Sequence, residues 1–159
     1  MGARTRALPL LAALLVTASG SPALAGIKIV IGAATTGPPG KVSAPISMNG
    51  AANPSPVAGI EVDVLFPQPA LTAPTCTAAS GVPLAGTNLI TAANTPPGMG
   101  RLRLLFIDIS SLTAIGNGPL ATCTFTAAPG TYSLSGMSLS VADSDGNDLD
   151  ATLCTGGCC

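Results

Sequence analysis

Two acidic groupings and five cysteines are the residues in this chain whose types and spacing could do chemistry. The run Asp143-Ser144-Asp145-Gly146-Asn147-Asp148-Leu149-Asp150 holds four of the seven acidic residues. Ca²⁺ takes six to eight hard oxygen ligands and needs a chain that bends tightly around it, which a glycine amid alternating oxygen donors supplies. Asp143, Asp145, Asn147, Asp148 and Asp150 are therefore the candidate ligands, with calcium a candidate cofactor that the fold does not require. The run lacks the EF-hand spacing with its Glu at position twelve, so a solvated acidic turn is the competing reading and the favoured one. Glu61 and Asp63 form the second grouping. At i and i+2 of a strand they share a face at roughly 7 Å, inside the broad separation range of inverting glycosidases. Two solvated acids on an outer strand face explain the spacing more simply, and no catalytic residue is assigned. The chain has no histidine, which removes the usual general base, the Ser-His-Asp and Cys-His arrangements, and most zinc sites.

The cysteines are Cys76, Cys123, Cys154, Cys158 and Cys159. In an oxidising compartment they favour disulfides over free thiols. Cys76 precedes a weakly patterned segment and Cys123 sits on a clear strand, so this pair is the expected bridge, tethering that segment to the fold. Cys154, Cys158 and Cys159 leave an odd thiol even if two of them pair, which points either to an intermolecular bond, and so a disulfide-linked oligomer, or to a reactive tail. Cys-x₃-Cys-Cys has no fourth partner nearby and is a poor metal site.

Strands must position these groups. Around Cys123, Ala121, Cys123 and Phe125 alternate with Leu120, Thr122, Thr124 and Thr126, a strand with a β-branched outer face. Upstream, Leu102, Leu104 and Phe106 fall on one face, with Arg101 and Arg103 on the other; Leu105, Ile107 and Ile109 continue the arginine face as apolar residues. Gly116-Asn117-Gly118-Pro119 marks a turn between the two strands. Glu61 and Asp63 lie on a strand from Gly59 to Phe66, with Ile60, Val62, Val64 and Phe66 inward and Glu61, Asp63 and Leu65 outward. Ile27, Ile29 and Ile31 open the series. Val42, Ala44, Ile46 and Met48 continue it, with Pro45 implying an edge position or a bulge. Met137, Leu139 and Val141 share a face of the last strand. From Ala70 to Pro97 prolines interrupt the pattern, and only Thr87 to Ala93 resembles a strand. The sum is an all-β jelly-roll or Greek-key β-sandwich of seven to nine strands.

Arg4 and Arg6, the apolar run Ala7 to Val16, and Ala23-Leu24-Ala25 make the three-part pattern of a secretory signal peptide, cleaved between Ala25 and Gly26. The apolar run is too short to span a bilayer comfortably, and no later one is long enough for a transmembrane helix. The expected organisation is a signal peptide at 1–25, one sandwich domain at 26–150 and a short Cys-rich tail at 151–159. After cleavage Lys28, Lys41, Arg101 and Arg103 face seven acids, a net charge of −3. Nucleic acid is a poor partner for such a chain, because phosphate neutralisation needs clustered bases. Charged residues are only 8% of the sequence, so the surface is polar through hydroxyls, as suits a secreted protein.

VAGIEVDVLFP at 57–67, GRLRLLFIDI at 100–109, IGNGPLATCTF at 115–125 and APGTYSLSGMSLSVADSDGNDL at 128–149 together resemble the cohesin-type module of bacterial extracellular proteins, a jelly-roll sandwich related to cellulose-binding modules. The resemblance implies a secreted, non-catalytic module that docks a dockerin-type protein, or that serves a polysaccharide-associated assembly. No dockerin-contact motif is recognisable residue by residue. A carbohydrate-binding module is the alternative, weakened because the chain has no Trp and one Tyr, Tyr132, on which to stack sugar rings. An adhesive subunit linked through the C-terminal cysteines is the other rival. The leader gives the first prediction: the exported chain should have the intact mass of a polypeptide starting at Gly26, and a mass retaining residues 1–25 would refute the cleavage site.

Overall fold

The computed structural model describes residues 26–50, 56–90, 95–111 and 113–156. The expected leader at 1–25 and Cys158 and Cys159 lie outside these. Among the described residues ten strands form, one more than the upper count expected: β1 Ile27–Ile31, β2 Thr35–Thr36, β3 Lys41–Asn49, β4 Val57–Pro67, β5 Thr72–Ala78, β6 Leu84–Ile90, β7 Met99–Ile107, β8 Gly118–Thr126, β9 Ser135–Asp143 and β10 Ala151–Thr155. One sheet runs β10-β1-β3-β8-β5, with β2 paired to β3; the other runs β6-β7-β4-β9. Among the described residues no helix is long and apolar enough to cross a membrane.

The inner faces follow the alternation. Ile29, Ile31, Val42, Ala44, Ile46, Phe125 and Cys123 from the first sheet meet Ile60, Val62, Val64, Phe66, Leu104 and Phe106 from the second, all at or near zero exposure. Phe66 and Phe125 meet across the sandwich with ring centroids 5.2 Å apart and planes tilted by 51°, a geometry that adds about 0.5–1.5 kcal/mol beyond area burial. Tyr132 packs on the margin of this core and donates its hydroxyl to the Ala128 carbonyl at 3.1 Å.

Several expectations shift. β7 and β8, consecutive in the chain, lie in different sheets. The connection crosses between layers through buried Ile115, whose N–H donates to the Val57 carbonyl at 2.7 Å. Pro45 is not on an edge, since β3 is central, between β1 and β8. Its missing N–H falls where β1 has ended and β2 has not begun: β1 reaches Ile46, and β2 pairs only with Ser43 and Val42. There the Pro45 carbonyl accepts from the Gly32 N–H at 2.9 Å. A Cβ on Gly32 would stand 2.7 Å from Pro45 Cγ, so only glycine lets the ring in. A register shift does follow at Ile46/Ser47, against β8, and Leu120, expected outward on that strand, is buried all the same. The weakly patterned segment from Ala70 contains two strands, β5 and β6, and β6 begins at Leu84 rather than Thr87; residues 91–94 lie outside the described ones.

The sandwich also extends past residue 150. Ala151–Thr155 forms β10, parallel to β1, with Ala151 opposite Ile27 and Thr155 opposite Ile31. The expected tail therefore starts as a sheet strand. Leu153 turns into the core, against Gly136, where a Cβ would come within 1.8 Å of Leu153 Cδ2. The alternation in Ala151-Thr152-Leu153 is too short to be legible without its partner strand.

Cys76 and Cys123 are bonded, directly opposite one another on β5 and β8 with Cα atoms 4.0 Å apart. The bond holds edge strand β5 to the sheet and closes a loop 47 residues long in sequence separation. In the chain-entropy account a loop of that length contributes on the order of 4 kcal/mol. The Cys76→Ala/Cys123→Ala double variant should accordingly unfold at lower urea, with a loss of about 2–4 kcal/mol. An unchanged midpoint would show that the sheet, not the bond, holds β5.

Candidate functional site

The outer face of the β6-β7-β4-β9 sheet gathers the charged side chains of the strands. Period two sends Glu61, Asp63 and Leu65 of β4 outward. The antiparallel register then places Arg103 of β7 opposite Asp63, Arg101 opposite Leu65 and Leu105 opposite Glu61. On the other flank β9 sets Ser138 opposite Asp63 and Ser140 opposite Glu61.

Asp63 points outward yet has no exposed surface, because its neighbours cover it. Arg101 reaches it through Nε at 3.0 Å and through a closer Nη2 contact. Arg103 donates from Nε to Oδ1 at 2.8 Å and from Nη2 to Oδ2 at 3.0 Å, a two-pronged grip on the carboxylate. Ser138 donates its hydroxyl to Oδ2 at 2.5 Å. Arg103 Nη1 also meets Glu61 Oε1 at 3.0 Å. Two guanidinium groups and two carboxylates thus form one electrically balanced cluster. Burial acts against the charged form of Asp63, but hydrogen bonds from Arg103, Ser138 and Arg101 outweigh it and hold the carboxyl well below the usual carboxylate range. The hydrogen bond from Arg103 in turn raises that guanidinium's own pKa.

This overturns the reading of Asp63 as a solvated acid; Glu61, at the margin of the cluster, keeps a side chain 39% exposed. The cluster equally removes their use as a catalytic pair, since a carboxylate held ionised and covered by two arginines neither donates a proton nor meets a substrate. The signal was present in the sequence: acids at 61 and 63 and bases at 101 and 103 sit at matching period-two positions of two antiparallel strands. Their contact waited on the register.

Beside the cluster one row is apolar, while exposed Ser138 and Ser140 on β9 and Asn88 on β6 flank it with polar groups. Leu105 is 36% exposed, and the row it starts on β7 runs through half-buried Ile107 to Ile109, 84% exposed on the loop beyond the strand. That loop is ordered from within. The Asp108 carboxylate accepts from the Ser110 hydroxyl at 2.6 Å and N–H at 2.9 Å, from the Ser111 N–H at 3.2 Å, and from the Ser111 hydroxyl in a closer contact. Donation by Ser110 and then Ser111 keeps this acid well below the usual range. The opposite outer face, on β3, β8 and β5, differs in kind: Thr72, Thr75 and Thr77 register against Thr126, Thr124 and Thr122, beside Ser43 and Pro45.

The other sequence candidates lie elsewhere. Asp143 to Gly146 forms a tight turn on the way out of β9, with Gly146 at φ +81°. Asp143 Oδ1 accepts from the N–H groups of Asp145 and Asn147, each at 2.9 Å, and the Asn147 side-chain amide reaches Oδ2 at 3.1 Å. Donation by the Asn147 amide leads in lowering its pKa. Donors converge on this carboxylate from inside the loop, where a cation would need oxygens. Among the described residues no group of three or more His, Cys, Asp or Glu side chains is arranged to hold a metal ion, so Asp143, Asp145, Asn147, Asp148 and Asp150 are not brought together as ligands. Asp150 instead accepts, through its carbonyl, the N–H of Ile27 at 3.2 Å, which starts the β1–β10 pairing. Cys154 is 2% exposed on β10 and is disulfide-bonded, so the structure does not support an oligomer linked through it. Met137, expected beside Leu139 and Val141 on one face, is 42% exposed. It is the residue left without a β4 partner where the register shifts between Asp63 and Val64.

The sequence pattern of the cohesin domain family matches residues 27–157. In fold the chain is similar to the sixth cohesin of the Acetivibrio cellulolyticus scaffoldin B, solved in complex with a Cel5 dockerin variant, at 20% identity over 82% of this chain and 96% of that one, TM-score 0.63. It is similar to the seventh ScaB type I cohesin of Pseudobacteroides cellulosolvens, at 21% identity over 82% and 89%, TM-score 0.60. A non-cellulosomal cohesin of the hyperthermophilic archaeon Archaeoglobus fulgidus shares the fold at 17% identity over 82% and 88%, TM-score 0.58. No curated protein matches the chain.

Removing the carboxylate would leave two guanidinium groups sharing only the partly exposed Glu61 as counter-charge. Asp63→Asn should therefore cost about 3 kcal/mol at neutral pH, read by urea denaturation. The native carboxyl is depressed relative to an unfolded value of about 3.9, so its stabilisation is complete above about pH 4 and is lost as pH falls through the native value. The variant should be correspondingly less sensitive to acid; an unaltered acid limb would mean that Asp63 does not carry it.

Proposed function

The chain belongs to the cohesin domain family, and on that footing we propose that it is a secreted, non-catalytic docking module that receives a dockerin-type protein on the outer face of the β6-β7-β4-β9 sheet. The observation that carries this is the apolar row Leu105, Ile107 and Ile109 standing beside the Asp63 cluster. Leu105 is about a third exposed and Ile109 mostly exposed, where a monomer gains nothing from showing them, and the arginines next to them are fixed in place before any partner arrives. A docking surface gains from both features, since apolar contact supplies affinity and groups already ordered lose little entropy on binding. The threonine-rich face opposite offers no comparable apolar row.

The leader-like N-terminus and the Cys76–Cys123 bond favour an extracellular or cell-surface setting, because such bonds persist in oxidising compartments. The dockerin bound to the Acetivibrio cellulolyticus cohesin gives the partner class. A polysaccharide-associated assembly is the matching context.

Calorimetric titration of the chain with a panel of dockerin-type modules tests the proposal. At least one should bind at micromolar affinity or better. Leu105→Asp and Ile109→Asp should each weaken that binding by about tenfold or more, while changing stability by no more than about 0.5 kcal/mol, as surface substitutions do. Retention on neutral polysaccharides with no dockerin bound would overturn the reading in favour of a carbohydrate-binding module.

A further inference from the structure

The outermost strands of a sheet carry unpaired N–H and C=O groups, and folded proteins blunt such edges with prolines, bulges, charges, short strands or a covering segment. Here the two sheets end in β5, β6, β9 and β10, and three of these are blunted. β5 carries Pro74, Ala73 at φ +47° and a register shift between Thr72 and Thr75. β9 is irregular at Met137, and the chain folds back over its last residues. There the Leu149 N–H donates to the Val141 carbonyl at 2.8 Å and the Asp143 N–H to the Asn147 carbonyl at 3.0 Å. β10 is only five residues long.

β6 has none of these devices over most of its length. Leu84-Ala85-Gly86-Thr87-Asn88-Leu89-Ile90 contains no proline and no charge. After one irregularity between Leu84 and Gly86, it pairs with β7 without interruption from Gly86 to Ile90. Among the described residues no further backbone hydrogen bond reaches these five from the side away from β7. Thr87, Asn88 and Leu89 are exposed in succession. Leu89 lies opposite core residue Leu102, on the inner side of its sheet, yet it is 51% exposed. β5, the nearest strand of the facing sheet, leaves it uncovered.

We infer that β6 pairs antiparallel with β6 of a second copy of this chain, about a two-fold axis at Asn88, joining two four-stranded sheets into one of eight strands. That axis uses the whole uninterrupted run: Gly86 comes opposite the partner's Ile90, Thr87 opposite the partner's Leu89, and Asn88 opposite itself. A two-fold axis perpendicular to the sheet keeps inner side with inner side, so each uncovered Leu89 gains the partner's Thr87 directly and the partner's Leu89 on the diagonal. An uncharged strand meets its own copy without repulsion. The nearest charged side chain is Arg103, opposite Asn88 on β7, and Asp63 and Glu61 already neutralise it. The two Arg103 strands would lie three strand spacings apart, about 14 Å, beyond a Debye length of about 8 Å. An isologous pair consumes both β6 edges and leaves only blunted ones, so assembly stops at two. The pairing uses the edge of the sheet and leaves the docking face open.

Sedimentation velocity of the chain alone tests this. It should pass from monomer to dimer as its concentration rises from micromolar to millimolar, and the dimer should run as monomer on denaturing, non-reducing electrophoresis, which separates it from a cysteine-linked species. In hydrogen exchange, alternate amides of residues 86–90, open in dilute solution, should slow at least about fivefold in the concentrated sample. Asn88→Lys and Asn88→Asp each set like charges against one another at the axis and should weaken dimerisation at least about tenfold, with the urea midpoint unchanged; mixing the two variants should restore it. A monomer at millimolar concentration, a dimer held only by disulfides, or a dimer without slowed β6 amides would overturn the inference. So would a dimer indifferent to both variants, or a mixture that associates no better than either variant alone. Docking through Leu105 and Ile109 would stand in each of these cases, because it does not use the β6 edge.

Discussion

A carboxylate with no exposed surface must be neutralised where it stands, and for Asp63 the charges come from the adjacent strand. Arg103 can grip both oxygens only if it lies opposite Asp63, and Ser138 can add its hydroxyl only from the matching position on β9. A one-residue slip of β7 would carry both arginines to the inner face, among Leu102, Leu104 and Phe106. The cluster thus specifies the register of three strands at once, and the register in turn decides which apolar side chains appear beside it. Buried ionic groups are often poor contributors to net stability. Here the return is a sheet whose outer surface has one fixed arrangement.

That surface accounts for the division of labour between the two faces. The β6-β7-β4-β9 sheet carries both arginines, Glu61, Asp63 and the Leu105–Ile109 row. The β3, β8 and β5 strands present hydroxyls in register, Thr75 beside Thr124 and Thr77 beside Thr122. Methyl and hydroxyl groups on β-branched residues suit a solvated strand and offer little to bury. Both sheets use the same interior pattern, so the difference lies wholly in the outward positions.

The inward positions were readable from alternation alone: Ile60, Val62, Val64 and Phe66, and Leu102, Leu104 and Phe106, lie where period two puts them, and the Cys76–Cys123 bond forms as the strand pattern implies. What period two omits is which strands become neighbours. It sends Asp63 outward correctly but says nothing of the arginines that cover it. It places β7 and β8 in succession and misses that the chain changes sheets at Ile115. β5 and β6 were hidden because Pro74 and Pro83 break the apolar pattern beside edge strands, where a missing ladder donor is tolerated. β10 was hidden because a five-residue strand with one clearly inward side chain has no pattern until β1 lies beside it. The acidic run around Gly146 was read by composition, and composition does not reveal that Asp143 already serves as acceptor for its own loop.

The first and last strands of the sandwich, β1 and β10, run parallel and side by side through five paired positions. The chain therefore enters at one end of that pair and leaves at the other. Tension applied through residues 26 and 156 would act along both strands in opposite senses, loading the hydrogen bonds between them together in shear. An antiparallel terminal pair pulled the same way would open one bond at a time. For a module set between other bodies, this topology converts an ordinary sheet seam into a mechanical clasp.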